Sequence, residues 1–194
     1  FGIVRVTVTD DNGCEAFAAF NITQPDPLLS AAFSEDIKCF GETTGKAWVT
    51  ASGGVGGYTY AWTGGTPTGS GDTVINLAAG NYYVTVTDGN GCTALDTVFI
   101  TQPASALTLV MDSTNVSCFG LSDGKAWVTA TGGTPIFGSY SYSWSSGTTI
   151  GLQDTIINLA ADTYIVTVTD DNNCVAVDSV TITQPQLLTL TKDS

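Results

Sequence analysis

The sequence predicts an all-β protein made of tandem immunoglobulin-like β-sandwich repeats arranged as a rod. Three observations predict this fold class. The composition suits short strands and tight turns, apolar and hydroxylated residues alternate along the candidate strands, and whole blocks of sequence return along the chain. Each repeat offers several short strands with turn signals between them, which is typical of a sandwich.

The composition supplies a hydrophobic core but few charges. Hydrophobic residues make up 43% of the 194 residues and charged residues 12%. Glycine, threonine, serine, valine and tyrosine are plentiful, which favours strands and turns over helices. No stretch keeps a helical hydrophobic period, and no apolar run reaches the roughly 18 residues that a membrane-spanning helix needs. We therefore expect no helix and no membrane span in this segment.

The charge and the missing residue types exclude several classes of function. The net charge is −13 with five lysines and arginines, so a basic nucleic-acid-binding surface is excluded. The chain has no histidine, which excludes Ser/His/Asp and Cys/His catalysis and His-based metal sites. Adjacent acids such as Glu35 and Asp36 lie in predicted turns, where neighbouring side chains point apart. The sequence therefore predicts that the chain is not an enzyme and has no cofactor, with calcium as the one ligand left open.

Several blocks define the repeat. A TVTD strand reads VRVTVTD, YYVTVTD and YIVTVTD at 4–10, 82–88 and 164–170. Each copy is followed by an Asx-containing turn that ends in a cysteine, namely Cys14, Cys92 and Cys174. The next strand then ends in ITQP at 22–25, 100–103 and 182–185. CFG followed by GKAWVTA occurs at 39–51 and 118–130, and an aromatic strand ends at Trp62 and at Trp144.

These blocks divide the chain into four parts. We expect the C-terminal part of a preceding repeat at 1–25, complete repeats at 26–103 and 104–185, and the start of a following repeat at 186–194. The sequence has no initiating methionine or signal peptide, so we expect it to be part of a longer polypeptide. The junctions at the TQP motifs are short and contain proline rather than a Gly/Ser tract, which predicts a semi-rigid rod.

The alternation assigns faces to the strands. Two strands have one apolar face, formed by Tyr82, Val84 and Val86 in one and by Ala94, Val98 and Ile100 in the next. This pattern is typical of half-buried antiparallel strands. Large aromatic residues fill the space between sheets, so we expect Trp48 and Trp62 in the core. An aromatic platform for sugars is the alternative for these two residues.

The order of the blocks resembles the SprB-type repeat. The resemblance rests on CFG, GKAWVTA, YxYxW, INLAA, VTVTD and ITQP in this order, and it covers both complete and both partial repeats. SprB-type repeats occur in very large surface adhesins of gliding Bacteroidota. The resemblance implies an extracellular filament at the bacterial cell surface that is exported by type IX secretion and takes part in gliding. Asn173 replaces the turn glycine Gly91, and asparagine tolerates the left-handed backbone region.

Five cysteines in an exported chain predict disulfides. Pairing within each repeat joins Cys39 to Cys92 and Cys118 to Cys174. The path of an immunoglobulin-like chain instead places Cys39 near the exit end of its repeat and Cys92 at the entry end, which favours a bond between repeats from Cys39 to Cys174. The sequence leaves both schemes open. A metal site at these cysteines is not predicted, because no paired CxxC spacing appears.

The acidic turns are candidate calcium sites, because hard cations bind clustered oxygen ligands. The candidates are Asp10, Asp11 and Asn12, then Asp88 and Asn90, then Asp170, Asp171 and Asn172. The alternative is that these Asx turns simply close hairpins. Each cluster is shorter than a calcium-binding loop, and the sequence leaves both interpretations open.

Asp followed by Ser or Thr recurs along the strands and resembles an O-glycosylation acceptor motif of the same bacterial phylum. The candidate acceptors are Thr73, Thr97, Ser113, Thr155 and Ser179. The alternation places Thr97 and Ser179 on the outward face of their strands, where a sugar is accommodated. The alternative is ordinary strand-edge chemistry that the repeat duplicates.

The sequence therefore predicts a structural stalk or filament segment of a large secreted cell-surface adhesin, used in surface attachment and gliding. The expected partners are neighbouring repeats of the same chain, surface polysaccharide and other cell-surface proteins, and not nucleic acid. The alternative function is a carbohydrate-binding module array of a secreted hydrolase. An exposed aromatic row on one face of a repeat would favour that alternative.

Overall fold

Every element of the computed structural model is a β-strand over the described residues, which are 2–64, 71–135 and 138–190. The strands are β1 (Gly2–Thr9), β2 (Glu15–Ile22), β3 (Leu29–Glu35), β4 (Gly45–Ser52), β5 (Thr59–Thr63), β6 (Thr73–Leu77), β7 (Gly80–Thr87), β8 (Thr93–Ile100), β9 (Thr108–Thr114), β10 (Gly124–Thr131), β11 (Ser141–Trp144), β12 (Thr148–Ile150), β13 (Thr155–Leu159), β14 (Asp162–Thr169) and β15 (Val175–Ile182). The predicted all-β fold class is confirmed. The expected start of a following repeat, 186–194, lies partly outside the described residues.

The TVTD blocks form antiparallel hairpins of the same register. In β1–β2 the pairs run from Gly2–Ile22 to Thr9–Glu15, and in β14–β15 they run from Asp162–Ile182 to Thr169–Val175. A shift of one residue would turn every side chain to the opposite face, so a buried face fixes the register. The equal spacing between the TVTD strand and the following strand therefore has a direct structural counterpart.

The first complete repeat forms two three-stranded sheets, with the strand orders β3–β4–β6 and β5–β7–β8. Its core cluster contains Val49 from the first sheet and Val84 and Val86 from the second. Val84 and Val86 are fully buried, and Tyr82 is 2% exposed. The predicted inner face of the TVTD strand is therefore confirmed.

The second complete repeat forms a four-stranded and a three-stranded sheet, with the strand orders β9–β10–β13–β12 and β11–β14–β15, so its first sheet has one additional edge strand, β12. Val128, Val166 and Val168 form one buried cluster, with Met111 and Trp144 packed against it. A second cluster contains Ile156, Leu159 and Ile182. The two repeats therefore bury equivalent positions of equivalent strands.

The chain divides into two compact units. The first unit holds Lys46–Phe99 together with the segment that ends at Glu35, and the second holds Asp36–Gly45 together with the segment that begins at Ile100. The stretch Asp36–Gly45 carries the CFG motif. It therefore groups in space with the second unit, although its sequence lies inside the first complete repeat.

Trp48 does not lie in the core, so this prediction is wrong. In β4, Ala47 and Val49 are buried, and Trp48 between them occupies the opposite, partly exposed face. Trp62 of β5 packs against the core cluster as predicted, and its Nε1–H donates to the carbonyl oxygen of Gly71 at 3.0 Å. The rings of β5 fill the space between the sheets, so the inner face of β4 carries smaller residues.

No helix among the described residues has the length and the apolar character that crossing a membrane requires.

Candidate functional site

The candidate functional site is formed by two cysteine-bearing loops, Asp36–Gly45 and Asn115–Gly124, which we call the cysteine loops. In the first loop, the N–H of Ile37 donates to the carbonyl oxygen of Thr101 at 2.9 Å. The N–H of Thr101 in turn donates to Oδ1 of Asp36 at 2.7 Å. This bond stabilises the carboxylate and lowers the pKa of Asp36 below its usual value of 3.8. The loop is thereby fastened to the TQP segment.

The TQP glutamine completes this attachment, and the sequence interpretation missed its role. The N–H of Gly41 donates to Oε1 of Gln102 at 2.9 Å. In the second cysteine loop the N–H of Gly120 donates to Oε1 of Gln184 at the same distance of 2.9 Å. The signal that could have revealed this pair is the joint recurrence of CFG and TQP in each repeat. Gln102 and Gln184 therefore hold the loop tips.

The backbone bonds of the second cysteine loop repeat those of the first. The N–H of Val116 donates to the carbonyl oxygen of Thr183 at 3.0 Å. The N–H of Thr183 donates to Oδ1 of Asn115 at 2.9 Å. Asn115 thus takes the place of Asp36, because an amide oxygen accepts the same hydrogen bond. The two cysteine loops have the same bonding frame.

A disulfide joins Cys39 of the first cysteine loop to Cys174, with a Cα–Cα distance of 5.6 Å. Beside it, Nδ2 of Asn172 donates to the carbonyl oxygen of Lys38 at 3.0 Å. Cys14, Cys92 and Cys118 are free and exposed. The structure therefore contains neither the Cys39–Cys92 nor the Cys118–Cys174 pairing within a single repeat.

The three Asx turns, Asp10–Cys14, Asp88–Cys92 and Asp170–Cys174, are called the cysteine turns. In the second of them, Oδ1 of Asp88 accepts the N–H of Asn90 at 2.9 Å and that of Cys92 at 2.8 Å. Its Oδ2 accepts the N–H of Val55 at 2.9 Å. The Val55 bond, followed by the bonds within the turn, lowers the pKa of Asp88 against the opposing effect of burial. Asp88 therefore ties the turn to the loop that follows β4.

Asp170 plays the same part in the second complete repeat. Its Oδ1 accepts the N–H groups of Asn172 at 3.0 Å and Cys174 at 2.9 Å. Its Oδ2 accepts the N–H of Thr134 at 2.9 Å. Burial raises the pKa of Asp170, but the hydrogen bonds from Thr134, Cys174 and Asn172 outweigh it and leave the pKa below its usual value. Asp10 holds its own turn through the N–H groups of Asn12 and Cys14.

Three of the calcium candidates close their turns. The carboxylates of Asp10, Asp88 and Asp170 accept backbone N–H groups, and Asp11 and Asp171 are exposed neighbours in two of these turns. Within residues 2–64, 71–135 and 138–190, no three or more Cys, Asp or Glu side chains are grouped so as to hold a metal ion. The observed bonding favours the turn-closing role. Calcium binding at these residues stays a prediction.

The candidate glycosylation acceptors differ in exposure. Thr97 and Ser179 are exposed on the outer faces of β8 and β15, as the alternation predicts. Thr73, Ser113 and Thr155 are partly buried. The hydroxyls of Thr73 and Thr155 each donate to Oδ1 of the preceding aspartate, at 3.0 and 2.9 Å. Thr97 and Ser179 are therefore the accessible members of the set.

Trp48 and Trp127 lie on the partly exposed outer faces of their sheets. The ring of Trp48 stacks on Phe33 of the neighbouring strand, with 5.8 Å between the ring centroids. Nζ of Lys46 lies 5.3 Å from the centroid of Trp48, and Nζ of Lys125 lies 5.1 Å from that of Trp127. Both repeats therefore present a tryptophan with a cation above it on an outer face.

The family comparison matches one segment in each of the two complete repeats. The family model described as the SprB repeat matches residues 31–67 and 111–149. No curated protein matches the chain.

Among solved structures, the chain is similar to the three N-terminal domains of the highly immunogenic outer capsid protein Hoc of bacteriophage RB49. The identity is 21% and the TM-score 0.43, covering 81% of this chain and 59% of that chain. It is also similar to the C-terminal 282-residue fragment of intimin, at 15% identity and a TM-score of 0.37, covering 77% of this chain and 64% of that chain. For domains 1–6 of the surface layer protein SbsC, the identity is 16% and the TM-score 0.34, covering 96% of this chain and 35% of that chain. The chain thus spans less than two thirds of the length of each.

The two segments that match the SprB repeat begin in equivalent strands. The first segment begins in β3 and contains the first cysteine loop, and the second begins in β9 and contains the second cysteine loop. Both matched segments therefore contain equivalent strands and a cysteine loop, and the cysteine turns lie outside them. The family model thus matches one segment in each complete repeat, which supports the resemblance to the SprB-type repeat that the order of the sequence blocks indicates.

Proposed function

We propose that the chain is a structural segment of a large secreted cell-surface adhesin, serving as part of its stalk or filament. The observation that carries this proposal is the match to the SprB repeat at the same place in two successive repeats. The resemblance links such repeats to surface adhesins of gliding bacteria. In this function the repeats supply length, and the partners of each repeat are its neighbours in the chain.

Two further observations support export to the cell surface. The disulfide between Cys39 and Cys174 belongs to an oxidising environment, because cytosolic thiols are kept reduced. The net charge of −13 favours the solubility of a long array. Neither observation depends on a particular adhesive ligand.

The test is surface labelling of intact source cells with antibodies raised against residues 104–185. The proposal expects labelling without lysis and loss of the label after brief external proteolysis. If the label moves along the surface of gliding cells, the role in gliding is supported as well. Labelling that requires lysis would contradict the surface location.

We also propose that Thr97 and Ser179 carry glycans in the native protein, because both are exposed beside an aspartate. The intact mass of material purified from the source cells measures this directly. A mass equal to that of the bare polypeptide would end the proposal. Substitution Thr97→Ala together with Ser179→Ala is expected to remove the added mass.

Carbohydrate binding is the second candidate function, as a module array of a secreted hydrolase. The stacked pair of Phe33 and Trp48, with Lys46 above the indole ring, favours it. Exposed aromatic faces bind sugar rings through their apolar surface. A glycan array probed with the chain and with Trp48→Ala is the test. Binding that Trp48→Ala weakens and Tyr83→Ala, on the other sheet, leaves intact would favour this candidate.

A further inference from the structure

One cysteine loop in the described chain is joined to a cysteine turn, and the other is not. The first loop is bonded through Cys39 to the turn that ends in Cys174. The second loop leaves Cys118 exposed, and the turns that end in Cys14 and Cys92 also have exposed thiols. The bonded pair of Cys39 and Cys174 therefore shows how a cysteine loop binds a cysteine turn, and it can be compared with the unbonded loop at Cys118.

The second cysteine loop has the geometry of the joined one. The bonds from Gly41 to Gln102 and from Gly120 to Gln184 have the same length of 2.9 Å. The bonds to Thr101 and Thr183 are also equivalent. Cys118 therefore occupies the position in its loop that Cys39 occupies in the first.

The surface beside the two loops also corresponds. The groove at Cys39 is lined by Phe40, Glu42, Ala106 and Leu107, and the turn residues Asn173, Cys174 and Val175 form its other side. The groove at Cys118 is lined by Ser117, Phe119, Pro185, Gln186, Leu187 and Leu188. Leu187 and Leu188 are the sequence counterparts of Ala106 and Leu107. The two grooves thus share four equivalent positions, namely Cys39 and Cys118, Phe40 and Phe119, Ala106 and Leu187, and Leu107 and Leu188, and the second groove lacks the residues of a turn.

The Cys92 turn matches the turn that is bonded to the first loop. Asp88 holds Asn90 and Cys92 through their N–H groups as Asp170 holds Asn172 and Cys174. Asp88 also accepts the N–H of Val55, as Asp170 accepts that of Thr134. Each of these two turns is therefore fixed to its own sandwich. For the Asp10 turn, the described side-chain bonds are those to Asn12 and Cys14.

We propose that the second cysteine loop is a covalent docking site for the cysteine turn of a further copy of the repeat. In solution, its ligand is the Cys92 turn of a second copy of this chain. Asn90 donates from Nδ2 to the carbonyl oxygen of Ser117, as Asn172 donates to that of Lys38, and Cys92 bonds to Cys118. The proposal goes beyond the proposed function, since it concerns recognition between repeats and not their location at a cell surface.

The bond forms by thiol–disulfide exchange with a small-molecule disulfide such as oxidised glutathione. The Cys118 thiolate attacks that disulfide, which gives a mixed disulfide and one glutathione thiolate that takes up a proton. The Cys92 thiolate then attacks Sγ of Cys118, and the second glutathione leaves and is protonated. Two cysteine thiols are oxidised, and one glutathione disulfide is reduced to two thiols.

The test uses the full chain carrying Cys14→Ser, so that Cys92 and Cys118 are its free cysteines. Isotopically heavy and light chains are mixed in a glutathione buffer at exchange equilibrium, and disulfide-linked peptides that contain both labels are quantified by mass spectrometry. Random pairing between chains gives a fixed ratio of the mixed pair, Cys92–Cys118, to the two symmetric pairs, Cys92–Cys92 and Cys118–Cys118. We expect the mixed pair to exceed that ratio by about fivefold, the factor that corresponds to the ~1 kcal/mol of one hydrogen bond.

Two variants in the same background locate the recognition. Asn90→Ala removes the side-chain donor and is expected to return the pairing to the random ratio. Asn21→Ala changes an exposed asparagine of β2 and is expected to keep the excess. A random ratio with Asn90 present, or an excess that survives Asn90→Ala, overturns the docking site. The Cys39–Cys174 peptide is quantified in the same spectra to show that the reference bond stays intact.

Discussion

Asp88 and Asp170 connect the cysteine turns to the rest of their sandwiches. The sequence identified both residues as turn aspartates but left calcium binding and turn closure open. The contacts that favour turn closure include the N–H groups of Val55 and Thr134. Each of these residues lies in a loop of its own repeat that is distant in sequence from the aspartate that it contacts. The hydrogen bonds within an Asx turn can be predicted from the sequence, because they are local. The bond from the same carboxylate to Val55 or Thr134 could not be predicted, because it depends on how the sandwich folds.

Asp170→Asn is expected to lower the free energy of unfolding of its unit by about 1–2 kcal/mol, because charge-assisted bonds to three N–H groups become neutral ones. Urea denaturation of the full chain measures the change. The matched control is Asp178→Asn, since Asp178 is exposed and accepts the adjacent N–H of Ser179. Equal effects of the two substitutions would show that the tie to Thr134 adds no stability.

Acid is expected to destabilise the protein through the same carboxylates. The folded state lowers the pKa of Asp36, Asp88 and Asp170 below the usual value of 3.8. A lowered pKa gives stability that is fully present above the unfolded-state pKa and is lost as the pH falls through the folded-state pKa. The free energy of unfolding should therefore be level from neutral pH to about pH 5 and should fall below about pH 4.

The control for this pH profile is Asp170→Asn, which removes one titrating group. Its stability should fall less steeply with acid than that of the unchanged chain. Thermal unfolding followed by circular dichroism gives both profiles. A profile that rises on acidification would contradict the sign of these shifts.

At the scale of the element, alternation predicted which face of a strand is buried only where one face is plainly apolar. The TVTD strand satisfies this condition, and Val84 and Val86 are buried as predicted. In β4 both faces carry apolar residues, namely Ala47 and Val49 on one and Trp48 on the other. The sequence favoured burial of the larger side chain. Trp62 and its neighbours in the facing sheet occupy the space between the sheets. The side chains of the facing sheet therefore decide which face of β4 is buried, and the sequence of β4 alone does not show this.

Substitution of the two tryptophans should therefore have unequal effects. Trp62→Ala removes a ring that packs on the core and is expected to cost about 3–5 kcal/mol of stability. Trp48→Ala loses the stacking on Phe33 and the cation above it, and is expected to cost about 1 kcal/mol. Urea denaturation monitored by circular dichroism compares them without relying on tryptophan fluorescence. A larger loss for Trp48→Ala would place that ring in the core.

The cysteine loops show the same limit on prediction from sequence. The recurrence of CFG and TQP marked both segments, but the bond between Gly120 and Gln184 joins residues that are far apart in the chain. The pairing of Cys39 was likewise left open, because it depends on where the loop lies in space. Recurrence thus indicates that a residue has a role in each repeat, and the fold shows which partner it has.

Gln184→Ala is expected to loosen the second cysteine loop, because the N–H of Gly120 loses its acceptor. Hydrogen exchange at Cys118–Gly120 should become about fivefold faster, the factor that corresponds to the ~1 kcal/mol of one hydrogen bond. Gln186→Ala, two residues further on, is the matched control and should leave this exchange unchanged. Slow exchange in Gln184→Ala would show that the glutamine does not hold the loop.

At the scale of the whole molecule, the repeat explains both the fold and the proposed function. Each compact unit contains its own buried valine cluster, Val49 with Val84 and Val86 in one, and Val128 with Val166 and Val168 in the other. A protein whose units each close a core grows in length by adding units, and its stability is approximately a sum over them. This property suits a stalk or filament segment.

The most direct measurement of this claim is hydrogen exchange across the full chain in a pair of matched core variants, Val84→Ala and Val166→Ala. Each substitution removes buried methyl groups and is expected to destabilise its unit by about 2–3 kcal/mol. If each unit closes its own core, Val84→Ala speeds exchange in β4, β5 and β7 and leaves β10 and β14 protected, and Val166→Ala does the reverse. Faster exchange to the same extent in both sets of strands, for either variant, would contradict the account.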